Sequence, residues 1–257
     1  MENLLTHTLK APSGTEYTIR EQNGQDEEVL TNTGEIRRNM NINNFLQGII
    51  MSSSKKDGKL SMEEILSLPL LDRAVIIIQS RIFSIGEEME FSYRWPLEGE
   101  KFEEFDYTQD LREFIFDEYD RETITKEELE NKPKAIPFYP EEFDGYKEFS
   151  LHSGKKIRFR LADGHSELYV LKLPDSEKTR NTDLIMRDLQ LEVEGKWEKV
   201  FNFSLFSVKD MREIRKYVNA YDPTFELTTD IINPRTEQHL QIPIMALGDF
   251  FFPEEDV

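Results

Sequence analysis

The side chains that most often carry chemistry are few in this chain and widely scattered. The sequence contains no cysteine and four histidines, which are His7, His152, His165 and His239. None of them forms an HExxH motif or an i, i+4 pair, the spacings that place two ligands on one face of a helix. Phosphate-cradling glycine loops and a nucleophile elbow are also missing. The sequence therefore predicts that the protein is not an enzyme and holds no cofactor.

One segment, residues 53–64, resembles the second half of a calcium-binding EF-hand loop. Asp57 and Glu64 fall where that loop has its fifth and its last, bidentate ligand. Ser53 and Lys55 stand at the first and third positions, where the loop needs carboxylate or other oxygen ligands. Because the ammonium of Lys55 would face the cation, we expect a connecting loop here and no metal site.

Composition indicates an ordered and strongly acidic protein. The 257 residues include 32 Lys and Arg against 51 Asp and Glu, which gives a net charge of −19. Aromatic residues make up 11% of the chain, too many for a disordered acidic chain. Such a charge disfavours nucleic-acid binding by phosphate neutralisation. The absence of cysteine also excludes disulfides and thiol-based zinc sites.

Membrane and secretion signals are also missing from the sequence. The longest apolar run, residues 74–78, is far too short to span a bilayer. The first residues lack the basic and apolar regions of a signal peptide, so we expect the protein to stay in a cytoplasm. Neither a membrane nor a small-molecule substrate is predicted as a partner.

Alternating apolar residues predict an α+β fold of β-hairpins with intervening helices. Residues 9–20 and 149–161 have the same pattern, with Ser-Gly at the turn, and suggest two similar halves. A helix is expected to open at residues 69–72 and to run to about Phe83. Others are expected around 180–192 and from Ser207, where a capping-box-like motif begins. Arg73 and Arg81 lie on one face of the first of these helices and are expected to pair with carboxylates.

The chain divides into three segments on these patterns. Residues 1–111 form an N-terminal half, and residues 146–257 form a C-terminal half that ends in a hairpin and a Phe-rich tail. Residues 98–131 carry 14 acidic and 4 basic residues and are followed by several prolines. We therefore expect 112–145 to be a connecting arm.

Three consecutive aromatic residues close the sequence before the final acidic stretch. Phe250, Phe251 and Phe252 cannot all point to one side of the chain. Two interpretations remain open: the three rings anchor in a pocket of a partner protein, or they close this protein's own core beneath the C-terminal hairpin.

Four stretches, in this order, resemble the baseplate proteins of T-even-type contractile-tailed phages, a family that includes a baseplate hub assembly protein. The first is a hairpin followed by an acidic segment, and the second is a helix followed by a strand. The third and fourth are proline-containing tips, the last followed by the Phe-rich tail. The four stretches are 12–30, 71–86, 95–111 and 233–253.

Family members often carry a Cys-Pro-x-Cys knuckle in the third and fourth stretches, and the two knuckles together form a zinc ribbon. This chain keeps the prolines, Pro96 and Pro234. The four cysteine positions are occupied by Trp95, Glu98, Asn233 and Thr236. Because Trp cannot ligate zinc and Asn and Thr ligate it poorly, the family's metal should be absent. The two tips should then pack through side chains, with Trp95 filling the vacated space.

The resemblance implies a structural component of a contractile tail baseplate, in its hub region, that works through contacts with other baseplate or tail proteins. Its place would be the virion, after assembly in the host cytoplasm. The alternative is a chaperone that promotes hub assembly and then leaves. The low apolar fraction of 38% and the high charge lean toward such transient contacts.

Overall fold

The protein has a mixed α+β fold built from small antiparallel sheets and helices, as the sequence predicts. The computed structural model describes residues 5–97, 101–116, 125, 127, 131, 134–140, 145–246 and 248–252. No helix in these ranges is both long and apolar enough to cross a membrane.

The N-terminal elements form a three-stranded sheet, a group of helices and a long two-stranded hairpin. They are β1 (Thr6–Lys10), β2 (Glu16–Arg20), α1 (Gly24–Thr31), α2 (Thr33–Arg37), α3 (Asn41–Ile49), β3 (Ile50–Ser53), α4 (Met62–Leu66), α5 (Leu70–Ser84), β4 (Glu88–Pro96) and β5 (Phe102–Asp110). In the sheet, β2 lies between β1 and β3, and β4 pairs with β5 along nine residues to form the hairpin.

The C-terminal elements form a four-stranded sheet, helices and a last hairpin. They are β6 (Lys147–Ser150), β7 (Lys156–Phe159), α6 (Gly164–Leu171), α7 (Thr182–Met186), β8 (Gln190–Val193), β9 (Lys196–Lys199), α8 (Val208–Tyr221), β10 (Thr228–Ile232) and β11 (His239–Pro243). The strand order in the sheet is β6-β7-β8-β9, and β10 pairs with β11. Ser207 caps α8 in a capping box with Asp210, as predicted.

The predicted helix around 180–192 is wrong in its second part. The helix α7 ends at Met186, and Asp188 then adopts a left-handed backbone with φ +48°. Asp tolerates that conformation better than most residues, and it reverses the chain. Leu189 and Leu191 are buried on either side of the half-buried Gln190, the alternation of a strand.

Both halves begin with a hairpin whose turn has the same geometry. Gly14 and Gly154 have φ of +81° and +84°, where only glycine is unstrained. The backbone N–H of Ala11 donates to Thr15, and that of Leu151 donates to Lys155, both at 2.8 Å. Up to the last hairpin of each half, the first half then has α1 to α3, β3, α4 and the long α5, whereas the second has α6, α7, the paired strands β8 and β9 and the long α8.

The described residues form two hydrophobic cores. The first lies between the N-terminal sheet and the helices α3 and α5, and it includes Phe45, Leu46, Ile76 and Ile78, all fully buried. The second lies under the four-stranded sheet, where Ile157 and Phe159 meet Ile214 of α8. Buried apolar area of this kind is the main favourable contribution to folding.

The division of the two cores does not follow the predicted segments 1–111, 112–145 and 146–257. Ile231, Ile242 and Phe250, from the end of the chain, lie in the first core with the N-terminal elements. Most of the predicted connecting arm lies outside the described residues. Two of its described residues, Ile136 and Tyr139, are buried in the first core and are not exposed as an arm would be.

The two arginines on α5 are both buried, but only one has the predicted carboxylate partner. Arg73 lies 3.2 Å from a carboxylate oxygen of Glu167. Arg81 instead donates to the backbone carbonyls of Phe250 and Gly86, at 2.8 and 2.7 Å. Within the described residues it forms no ion pair, so the prediction is wrong for Arg81, whose carbonyl partners tie the end of the chain to α5.

A buried carboxylate joins the first hairpin turn to the start of α5. Asp72 is fully buried and accepts hydrogen bonds from the Ser13 N–H at 2.9 Å, the Ser13 hydroxyl at 2.6 Å and the Tyr17 hydroxyl at 3.2 Å. Burial raises the pKa of Asp72 to about 6, although these three donors oppose the rise. No ion pair to it is found in the described part of the chain.

This raised pKa predicts a pH dependence of stability that Asp72→Asn should remove. The folded state holds the proton more tightly than the unfolded chain, so the contribution of Asp72 to stability falls as the pH rises from about 4 to about 6. A shift of about 2 pH units corresponds to about 3 kcal/mol. Urea unfolding gives the free energy of unfolding of both proteins at pH 4 and at pH 7. Between these two pH values, the stability of Asp72→Asn relative to wild type should rise by about that amount. A pH-independent difference would contradict the assignment.

Candidate functional site

The β4–β5 and β10–β11 hairpins pack against each other, and residues of both lie in the first core. Trp95 is only 2% exposed, and its indole N–H donates to the Tyr107 hydroxyl at 2.7 Å. That hydroxyl donates in turn to the backbone carbonyl of Ile232, at 3.1 Å. A buried pair between Thr229 and Gln109, at 2.7 Å, adds a second link.

The remaining predicted tip positions differ in their surroundings. Asn233 is buried, and its side-chain oxygen accepts the backbone N–H groups of Arg235 and Thr236, at 2.9 and 3.1 Å, which closes the turn. Thr236 is exposed, and Glu98 lies outside the described residues. Across the tips, Arg235 forms an ion pair with Glu103 at 2.6 Å. Among the described residues, no group of three His, Asp or Glu side chains could hold a metal ion.

The Tyr107 hydroxyl is the centre of the contact between hairpins, and Tyr107→Phe should weaken it. The variant leaves the Trp95 N–H and the Ile232 carbonyl without their partner, a loss of about 1–3 kcal/mol. Tyr93→Phe is the matched control, because no described residue hydrogen-bonds to the Tyr93 hydroxyl. Thermal unfolding should show a clear drop for the first variant alone. Equal melting temperatures would mean that the hydroxyl does not join the hairpins.

The Phe-rich tail packs on this protein's own core. Phe250 is fully buried, while Phe251 and Phe252 are half-buried against the same core. The ring of Phe251 meets the edge of Phe45 at 5.7 Å between centroids. The prediction of Phe250 as an exposed anchor for a partner is therefore wrong, because its backbone is held by Arg81 and its ring has no accessible surface.

A cleft of about 590 Å³ lies between the helices α3 and α5 on one side and α6, α7 and the chain around residues 222–228 on the other. Cavities of this size commonly take a small ligand or a few side chains of a partner. Its walls are mainly apolar and half-buried. The apolar lining includes Ile42, Leu70, Ala74, Phe225, Leu227 and Met245.

Two buried arginines stand in the wall of the cleft, and both are paired. Arg187 lies 2.8 Å from a carboxylate oxygen of Asp222, and both side chains are at most 5% exposed. Burial raises the pKa of Asp222, although Arg187 opposes the rise. Arg73 donates to Asn43 at 2.8 Å and pairs with Glu167, and burial lowers the pKa of Arg73.

The accessible charge at the cleft is negative. Glu167 has a side chain 39% exposed, and Glu226 is exposed. Asp183 also lines the cleft, and its Oδ1 atom is buried without a hydrogen-bond partner among the described residues. The Asp183 side chain as a whole is half-buried, and no described Lys or Arg forms an ion pair with it, so its carboxylate adds to the negative charge of the cleft.

Sequence reasoning missed this cleft because its residues come from distant parts of the chain. Gly164 makes the close contact between its two walls possible. A Cβ at this position would lie 2.8 Å from a guanidinium nitrogen of Arg73 and 3.0 Å from the carbonyl of Leu66. The Asp163-Gly164 pair at the start of α6 reads locally as a helix cap and gives no sign of that contact.

In the segment that resembles a calcium-binding loop, residues 53–64, the last carboxylate is part of a helix cap. Glu64 accepts the backbone N–H of Ser61 at 2.7 Å in a capping box that begins α4, and it pairs with Lys56 at 2.6 Å. The Lys56 ammonium and the Ser61 donors lower the pKa of Glu64 to about 2. The carboxylate expected at the last position of a calcium loop therefore stabilises the start of a helix.

Comparison of the chain with protein-family models, with curated proteins and with solved structures found no match.

Proposed function

We propose that the protein is a structural component of a contractile phage tail baseplate, in its hub region, and that it acts through contacts with other baseplate or tail proteins. The four stretches that resemble the baseplate family supply the biological context. The further proposal that the two halves are a structural repeat rests on the matching turns at Gly14 and Gly154.

The observation that carries the proposal is the outer face of the β4–β5 hairpin. One side of this hairpin is buried in the core, and the opposite side carries exposed carboxylates at Glu88, Glu90, Glu104 and Asp106. The end of the hairpin exposes Phe102, at 66%. In an interface, charge on such a face would steer association and an exposed aromatic residue would supply an anchor.

Charge reversal on this face tests the proposal in the phage that encodes the chain. We expect the triple variant Glu88→Lys, Glu90→Lys and Asp106→Lys to reduce the yield of infectious particles at least about tenfold, because the complementary contact becomes repulsive. The matched control reverses three exposed carboxylates, two on the four-stranded sheet and one between α6 and α7. These are Glu148, Glu177 and Glu198.

The purified variants should both remain folded, since all six side chains are exposed. Equal yields from the two triple variants would contradict the role of the hairpin face. The alternative function, a chaperone that assists hub assembly and is absent from the particle, is favoured by the polar character of the same face. Transient interfaces are smaller and more polar than permanent ones.

A further inference from the structure

We propose that the cleft between α5 and the segment around residues 222–228 binds an apolar segment of a partner protein that carries a lysine or arginine. This inference rests on the proposed function, since it names the kind of partner that the protein would contact. It assigns a second contact surface, separate from the hairpin face.

The shape and lining of the cleft define the apolar part of this partner segment. The volume of about 590 Å³ and the half-buried apolar walls fit a few aliphatic or aromatic side chains. Leu171 lines the cleft and is 47% exposed, so the cleft opens to solvent. Apolar anchors entering such a groove are how amphipathic helices and extended peptides commonly bind.

The charged residues that line the cleft define the basic part of the partner segment. Arg73 and Arg187, the two described cations in the lining, are buried and occupied by Asn43, Glu167 and Asp222. The charges that a partner would meet are therefore carboxylates.

Asp183 gives the basic residue its position. Its buried Oδ1 atom has no hydrogen-bond partner among the described residues, and the side chain belongs to the cleft wall. Because that atom has no accessible surface, an ammonium or guanidinium group of the partner would approach the accessible part of this half-buried carboxylate, and charge-assisted bonds of this kind are the stronger ones. An acidic segment would be repelled by Asp183, Glu167 and Glu226, and a neutral one would form no such bond, so the cleft should select for a basic residue among apolar ones.

Binding of labelled synthetic peptides to the full-length protein, followed by fluorescence anisotropy, tests this assignment. The probe is a short amphipathic peptide of leucine and lysine. The comparison peptides replace lysine by glutamate or leucine by serine. We expect the leucine–lysine peptide to bind most tightly, and the serine–lysine peptide, which has charge alone, to bind weakly and to lose its binding in high salt.

Three variants locate the binding. Ala74→Leu adds side-chain volume in the cleft wall, and Asp183→Asn removes the charge of the half-buried Asp183 carboxylate. Each should weaken binding of the leucine–lysine peptide at least about tenfold. Ala220→Leu, at an exposed position of α8 outside the cleft, makes the same change as the first variant and should have no effect. Because Asp183→Asn disrupts no described side-chain bond, it remains informative even if Ala74→Leu impairs folding.

Several results would overturn the assignment. Unchanged binding in both cleft variants would show that the peptide responds only to the net charge of the protein. Equal binding of the leucine–glutamate peptide would remove the basic preference. If the apolar dye anilinonaphthalene sulfonate fills the cleft and the peptide does not displace it, the cleft is a small-molecule site. None of these results would change the particle yields expected for the hairpin variants.

Discussion

Phe250→Ala should destabilise the protein by about 3–5 kcal/mol, the usual cost of removing a fully buried aromatic side chain. Phe250 is completely buried in the first core, where its ring meets Phe251 edge-on with 4.7 Å between centroids. The truncation leaves a cavity that the surrounding core can fill only in part. Urea unfolding followed by circular dichroism would measure the loss.

Phe252→Ala is the control for this variant, because Phe252 is half-buried and loses less apolar contact. A smaller loss for Phe252→Ala is expected. If Phe250→Ala unfolds no more easily than the control, the tail does not close the core. The result also separates the two sequence interpretations of the tail, since a partner anchor would be neutral in the isolated protein.

Asp222→Ala should be the other severe change, with a loss of about 3–5 kcal/mol, because it leaves the buried Arg187 guanidinium without its counter-ion. Asp222 also accepts the backbone N–H of Ala162 at 3.0 Å, so the variant removes a link between the start of α6 and the end of α8. The same unfolding assay measures the change. Most of the expected loss comes from leaving the Arg187 charge buried without a partner, and less from the lost attraction between the two side chains.

Two further variants separate that cause from a general effect on the segment. Adding Arg187→Met to Asp222→Ala removes the uncompensated charge and should restore part of the stability. Glu226→Ala removes an exposed carboxylate nearby and should change stability by no more than about 0.5 kcal/mol. A neutral Asp222→Ala would contradict the burial of this pair.

The sequence allowed prediction of the elements whose pattern is local. The alternation of apolar residues identified the hairpins, the helical spacing identified α5, and Ser207 marked the start of α8. The strand β8 was not predicted, because its apolar residues follow a short helix at spacings that also fit a longer helix. Asp188, in its left-handed conformation, makes the break between them.

The packing of distant segments could not be predicted from those patterns. Burial of Ile231 and Phe250 with the N-terminal helices depends on contacts across most of the chain. The use of Arg81 as a donor to the Phe250 carbonyl has no local signal either. The cleft could not be predicted for the same reason, since Ala74, Asp183 and Phe225 approach one another only in the folded chain.

The most direct test of the central proposal is quantitative mass spectrometry of purified mature particles of the phage that encodes this chain. The proposal predicts the protein at a fixed copy number relative to known tail proteins, which would make it a built-in baseplate component. Its presence in infected-cell lysate and its absence from the particles would contradict that role and indicate an assembly chaperone.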